Sequence, residues 1–163
     1  MDFQLRITKY DPQYRDDRGA YKKDEWTAIS DIGRRFDGVL FLEDEYKRVE
    51  NAYVKAVFAF KETMKIKTLS LASVWNGFDY KDPDLTLEDG QEYSGKELER
   101  IIRLVLREKF TCHLISGDSM FVHFGFDYYM YIGTSKPCDG AVEKVLALGL
   151  FPEKFKSPYL EDE

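Results

Sequence analysis

One apolar stripe with helical spacing constrains the fold of this chain more than any other feature of its sequence. The stripe follows an acidic run at 43–45, whose carboxylates suit the positive end of a helix dipole. Apolar side chains then recur every three or four residues: Tyr46, Val49, Tyr53, Ala56, Val57, Phe60 and Met64. This period predicts one long amphipathic helix, which needs a large apolar surface to pack against.

Short runs rich in β-forming residues are the candidates for that surface. Alternating apolar and polar residues predict a strand at 2–9 and another at 66–75. Between them, EWTAISDIG predicts a strand in 25–33, after a polar loop and before an Asp37-Gly38 turn.

Three more such runs follow in the second half of the chain: TCHLIS, SMFVHF and DYYMYIG. Gly117-Asp118 separates the first two runs and Gly125 separates the last two. These residues are typical of turns between antiparallel strands, so the sequence predicts a three-stranded meander.

Two further helices are predicted. Ser94 and Glu97 match a capping box, in which both side chains accept backbone N–H groups, and the helical spacing continues to about Glu108. A short third helix is predicted between Asp139, as its N-cap, and Gly149. Together the elements predict an α+β fold: a mainly antiparallel sheet with a meander, packed by two longer helices and one short helix.

The composition favours a single folded domain. The 163 residues are 44% hydrophobic and 15% aromatic, enough for one buried core, so we predict a single α+β domain over 1–163. Neither a signal-peptide pattern nor a run of about 18 apolar residues is present, so we expect no membrane association and a cytoplasmic location. Two cysteines, Cys112 and Cys138, fit a reducing compartment. The end of the tail is predicted to be frayed.

Few residues could carry catalysis. The two histidines, His113 and His123, lie in predicted strands, and a catalytic pair with Cys112 has no supporting motif. We therefore predict that the protein is not an enzyme and has no catalytic residue. The alternative is a small enzyme with an unfamiliar site around His113, His123, Tyr128 and Tyr129.

The sequence predicts no cofactor and no metal. A calcium loop beginning at Asp82 would place Leu87 where glycine is required and Tyr93 where the bidentate glutamate belongs. The chain contains no GxGxxG pattern, and its one GxxxxGK match, at 90–96, is followed by Glu97 where a phosphate-binding loop has serine or threonine.

The charge disfavours nucleic acid as a partner. The net charge is −6, whereas binding to a phosphate backbone needs clustered cations. The aromatic run FGFDYYMY could stack on bases, but residues 111–133 contain no lysine or arginine. We therefore predict that the protein does not bind nucleic acid.

Most of the negative charge lies in residues 76–93. This segment holds six acids and one lysine, a net charge of −5 out of −6 for the chain. Aromatic side chains alternate with the acids, and aromatic anchors surrounded by charge are typical of protein interfaces, although a solvated linker is the alternative. The predicted binding surface consists of Trp75, Asp79, Tyr80, Asp82, Asp84, Glu88, Asp89 and Glu92.

Two stretches, DIGRRFDGVLFLEDEYKRVENAYVKAVFAF and IRLVLREKFTCHLISGDSMFVHFGFDYYMYIG, carry a family resemblance. They resemble a group of small acidic bacterial immunity proteins, the partners of polymorphic or contact-dependent toxins. The resemblance implies a cytosolic protein that binds a cognate toxin domain and blocks it. Toxic nucleases are commonly cationic, which suits the acidic segment. A monomer is expected before binding, and self-association through the aromatic meander is the alternative.

Overall fold

The computed structural model describes residues 1–160, which form strands, helices and connecting loops. The strands are β1 (Phe3–Thr8), β2 (Arg35–Phe36), β3 (Val39–Leu40), β4 (Leu69–Trp75), β5 (Glu92–Tyr93), β6 (Thr111–Ser116), β7 (Met120–Phe124), β8 (Met130–Thr134) and β9 (Phe151–Lys154). The helices are α1 (Glu43–Thr63), α2 (Gly95–Leu106) and α3 (Asp139–Ala147). The fold is α+β, and the prediction of two longer helices, one short helix and a three-stranded meander is confirmed.

Seven strands form one antiparallel sheet in the order β5-β4-β6-β7-β8-β1-β9. The first strand, β1, lies between β8 and β9, with Leu5 opposite both Ile132 and Lys154. Both edges of the sheet are short strands, and Pro152 in β9 has no N–H to offer a further strand. Such edges discourage the addition of another chain.

The helices pack on one face of this sheet. Six of the seven stripe residues of α1 are buried, and the seventh, Met64, is half-buried at the end of the helix. They join a core cluster with alternate residues of the strands and with the apolar faces of α2 and α3. Burying one side chain of this size contributes about 1.5–3 kcal/mol, so this face carries much of the stability.

A buried carboxylate joins α1 to α2. Glu50 is fully buried and accepts hydrogen bonds from the Tyr46 hydroxyl (2.6 Å), Arg103 Nη1 (2.9 Å) and Arg107 Nε (2.7 Å). Burial by itself raises the pKa of the Glu50 carboxyl, but the hydrogen bonds from Arg107, Tyr46 and Arg103 outweigh it and hold the pKa below its usual value. The two helices are therefore joined through an ionised group inside the protein.

The other face of the sheet is covered by the segment 155–160. The Ser157 backbone N–H donates to Gln4 Oε1 at 3.0 Å, and the rings of Phe155 and Tyr159 each lie 5.9 Å from that of Tyr131. Beneath this segment, the Phe121 ring lies across its cross-strand partner Gly133. A Cβ at Gly133 would lie 2.2 Å from Phe121 Cε1, so only glycine leaves room for the ring.

The predicted strand in 25–33 is wrong. The chain forms a 3₁₀ turn at Ile29–Asp31 instead, where the Asp31 carboxylate accepts the backbone N–H groups of Thr27 (2.9 Å) and Ala28 (3.3 Å). An aspartate that bonds to nearby backbone groups competes with strand pairing. The Asp37-Gly38 turn is confirmed, since both residues have positive φ (49° and 78°) and join β2 to β3 in a separate hairpin.

Two helix caps also differ from prediction. Ser94 is the N-cap of α2, but its hydroxyl makes no capping hydrogen bond. Gly95, at φ 55°, turns the backbone left-handed just after Ser94, which departs from the geometry of a capping box. In α3 the N-cap is Cys138, and Asp139 is the first helical residue, where its carboxylate still faces the positive end of the helix.

The tail contributes a strand that periodicity did not predict. β9 contains Pro152, which argues against a strand inside a sheet but is compatible with the edge position that β9 occupies. The predicted fraying at 161–163 lies outside the described residues.

Candidate protein-interaction surface

A bulge at the end of β4 places Trp75 in solvent. The register between β4 and β6 shifts between Ala72 and Trp75, and Ser73 adopts a left-handed conformation with φ 51°. The Val74 N–H leaves the β-ladder and donates to Asp89 Oδ1 at 2.8 Å. Bulges redirect side chains, and here Trp75 is 57% exposed although it lies in a strand of the main sheet.

The loop after Trp75 is held by one side chain. Asn76 donates from Nδ2 to the Tyr80 carbonyl and accepts the Tyr80 N–H at Oδ1, both at 2.9 Å. The closed loop presents Phe78, which is 74% exposed, with its ring 5.9 Å from the Trp75 ring at an interplanar angle of 79°. The two aromatic rings therefore form an exposed pair on an ordered support.

Three of the predicted binding residues make contacts within the protein. Asp82 is buried, forms an ion pair with Arg100 of α2, and accepts the Asp84 N–H at 2.9 Å. Asp89 bonds to the bulge, and Tyr80 is half-buried against the core. These contacts hold the segment in place, while Asp89 stays exposed and uses only its Oδ1 for the bond to Val74.

The exposed acids are distributed along the same segment. Asp79 directly follows Phe78 and lies 3.6 Å from Lys81, with both side chains 81% exposed. Asp84 lies 3.7 Å from Arg100. Glu88 is exposed, and so is Glu92 in β5, which accepts from Thr68 Oγ1 at 3.3 Å.

We use the name aromatic–acidic surface for five exposed side chains: Trp75, Phe78, Asp79, Asp84 and Glu88. Phe78 was not among the predicted binding residues, although the sequence shows it beside Asp79. Glu92 lies apart from the aromatic pair, at the edge strand of the sheet.

The four residues of the alternative enzyme site do not converge. His113 and His123 have ring centroids 4.4 Å apart, and the buried His123 Nδ1 lies 2.6 Å from Ser157 Oγ beneath the C-terminal segment. Tyr128 packs in the helix-side core, where its hydroxyl donates to Tyr46. The Tyr129 hydroxyl accepts from Arg15 Nη1 at 3.0 Å.

Cys112 also lies apart from the rings of the two histidines. Cys112 belongs to the helix-side core, whereas the adjacent His113 contacts His123 and Tyr159 on the other face. Burial raises the pKa of the Cys112 thiol well above its usual value, which keeps it protonated near neutral pH.

Among the described residues lie clefts of about 960, 550 and 130 Å³, and neither His113 nor His123 lines any of these. The cleft of 550 Å³ contains a group that sequence reasoning missed. Lys9 Nζ lies 2.9 Å from Glu25 Oε2 and 4.1 Å from the centre of the Trp26 ring. Burial lowers the pKa of Lys9, and the hydrogen bond and charge of Glu25 oppose this shift.

Within residues 1–160, no group of three or more His, Cys, Asp or Glu side chains is arranged to hold a metal ion. The acids from Asp79 to Glu88 thus form no such group in this part of the chain. No helix among the described residues is long and apolar enough to cross a membrane.

Comparison with known proteins identifies no relative. No family model matches the chain, and neither curated proteins nor solved structures give a significant match. The resemblance of 26–133 to immunity proteins therefore stays a prediction from the sequence.

Proposed function

We propose that this protein is an immunity protein that binds a cationic bacterial toxin domain, of the nuclease type, through the aromatic–acidic surface. The observation that carries the proposal is the exposed Trp75–Phe78 pair, 57% and 74% accessible, in a segment of net charge −5. The protein acts by binding in the cytoplasm and not by catalysis. It needs no cofactor, membrane or nucleic acid.

The aromatic pair suits the centre of an interface. Tryptophan and other aromatic residues dominate interface energetics because each buries a large area with little loss of conformational entropy. The bulge at Ser73 and the Asn76–Tyr80 hydrogen bonds already order the pair before binding. A preformed contact costs less entropy on association, which favours high affinity.

The acids suit long-range attraction. Asp79, Asp84 and Glu88 are exposed, and the supporting carboxylates Asp82 and Asp89 add to the same negative field. A concentrated field of one sign speeds the approach of a partner with the opposite sign and is weakened by salt. The acidic segment therefore favours a cationic partner over an acidic one.

Co-expression with the product of the upstream neighbouring gene tests this function. We expect a one-to-one complex by size exclusion with light scattering, a free chain that is monomeric, and rescue of growth. Replacing Trp75 and Phe78 together by alanine is expected to weaken the complex at least about a hundredfold, because both rings would be central contacts. Phe126→Ala is the matched control, since Phe126 is 75% exposed on another loop. No complex and no rescue would refute the immunity function.

Charge-reversal variants test whether the position of the acids, and not only the net charge, speeds association with the partner. Asp79, Asp84 and Glu88 changed to lysine should slow association at least about tenfold at low salt, measured by stopped flow. The control reverses three exposed acids elsewhere, which changes the net charge from −6 to 0 in the same way: Asp17, Asp118 and Glu143. Equal slowing by both sets would show that the position of the charge has no role.

A further inference from the structure

The indole of Trp75 has one covered face and one open face. A Cβ at residue 77 would lie 2.2 Å from Cζ2 and 2.3 Å from Cη2 of Trp75, so the ring packs directly on the Gly77 backbone. Phe78 stands nearly perpendicular to it. Since Trp75 is 57% exposed, the face turned away from Gly77 is open to solvent.

Trp26 provides an example, within this protein, of a cation on the face of an indole ring. At Trp26, the ammonium of Lys9 lies 4.1 Å from the ring centre while its charge is balanced by Glu25 at 2.9 Å. An indole, a cation and a carboxylate thus form one packed unit, with the cation drawn to the negative face of the ring.

Trp75 has the ring and nearby carboxylates, and Lys81, which lies 3.6 Å from Asp79, makes no cation–π contact with either exposed ring in the described part of the chain. Asp89 accepts the backbone N–H of Val74, the residue before Trp75, and Asp79 follows Phe78, which contacts the Trp75 ring. Nine cation–π contacts occur among residues 1–160, and none of them involves Trp75 or Phe78.

We infer that the open face of Trp75 binds an arginine side chain of the partner protein, stacked on the indole and hydrogen-bonded to Asp89 or Asp79. Arginine suits this site better than lysine because its planar guanidinium stacks on rings and can donate to a carboxylate at the same time. The inference rests on the proposed function and specifies the group that the partner contributes.

Hexa-arginine amide and hexa-lysine amide, which carry equal charge, are the probes. Each is titrated into the ¹⁵N-labelled full chain while the indole Nε1–H signals of Trp75 and Trp26 are followed by NMR. We expect hexa-arginine to shift the Trp75 signal selectively and to bind the Trp75→Leu variant about fivefold more weakly than the wild type. Phe126→Leu, the matched control, should bind like the wild type.

Two results would overturn the inference. One is equal affinity of hexa-arginine for the wild type and for Trp75→Leu. The other is an equal shift of the Trp75 signal with both peptides, which would show attraction by charge alone.

Measurements on the toxin complex distinguish failure of this inference from failure of the proposed function. If Trp75→Leu keeps full affinity for the toxin while Trp75→Ala loses it, the anchor is apolar and only the arginine inference fails. If hexa-arginine shifts Trp75 but no toxin complex forms, only the immunity function fails.

Discussion

Replacing Glu50 by alanine is expected to lower the free energy of unfolding by about 2–4 kcal/mol, because two guanidinium groups and a buried hydroxyl lose their shared acceptor, while the arginine side chains, 32% and 34% exposed, still reach water. Glu50 is fully buried and holds two arginines, with Arg107 donating at 2.7 and 2.9 Å and Arg103 at 2.9 Å. In the variant, the two guanidinium groups would no longer share a carboxylate. The Tyr46 hydroxyl would also lose this acceptor.

Urea denaturation followed by circular dichroism measures this effect. Glu45→Ala is the control, since it removes an exposed carboxylate from the same helix, where Glu45 pairs with Arg48 at 2.6 Å. Surface pairs of this kind contribute about 0–1 kcal/mol. A loss below about 1 kcal/mol for Glu50→Ala would contradict a structural role for the buried charge.

The same carboxylate gives a pH signature. Its folded pKa lies below the ordinary 4.5, so the unfolded chain takes up the proton first on acidification. The stabilisation from Glu50 is therefore complete above the ordinary pKa and is lost as the pH falls through the lower folded pKa. The difference in stability between wild type and Glu50→Gln should accordingly shrink from about pH 6 to about pH 3.

Replacing Gly133 by alanine is expected to cost about 2–3 kcal/mol through overpacking. The new methyl group would lie 2.2 Å from the Phe121 ring, and that ring is buried and stacked on His123 at a centroid distance of 4.1 Å. The Phe121 ring is therefore enclosed, and either this ring or the strands β7 and β8 would have to shift.

Gly140→Ala provides the matched control in a thermal or urea denaturation. Gly140 lies in α3, where a new methyl group would have no atom within 4 Å and the backbone has no positive φ, so alanine should be neutral or stabilising there. Equal stabilities for the two variants would show that Phe121 adjusts without strain.

The elements that were predicted correctly are those whose own residues carry a periodic pattern or turn residues. The stripe of α1 and the three runs of the meander carry their own period and turn residues, and the structure has them within a few residues of the predicted bounds. β9 depends on a distant partner, since β1 lies almost 150 residues away along the chain, and 25–33 was mispredicted because Asp31 bonds locally.

The composition of residues 76–93 indicated a candidate surface, but the sequence could not show which of its side chains are exposed and which are buried. Asp82 and Asp84 look alike in the sequence, yet only Asp82 is buried, where it pairs with Arg100 of α2. Exposure of Trp75 depends on the bulge at Ser73, which has no clear sequence signal. The Lys9–Glu25–Trp26 unit brings together residues that no spacing rule connects.

The position of β1 between β8 and β9 has a consequence for synthesis on the ribosome. β1 emerges before both of its partners, because neither neighbour exists until Met130 and then Phe151 have been made. At about 5–20 residues per second, the first strand waits roughly 6–25 seconds for a partner. Its apolar residues Leu5 and Ile7 are exposed to chaperones and to other nascent chains for that time, so the yield of folded protein should depend on how quickly the second half is translated.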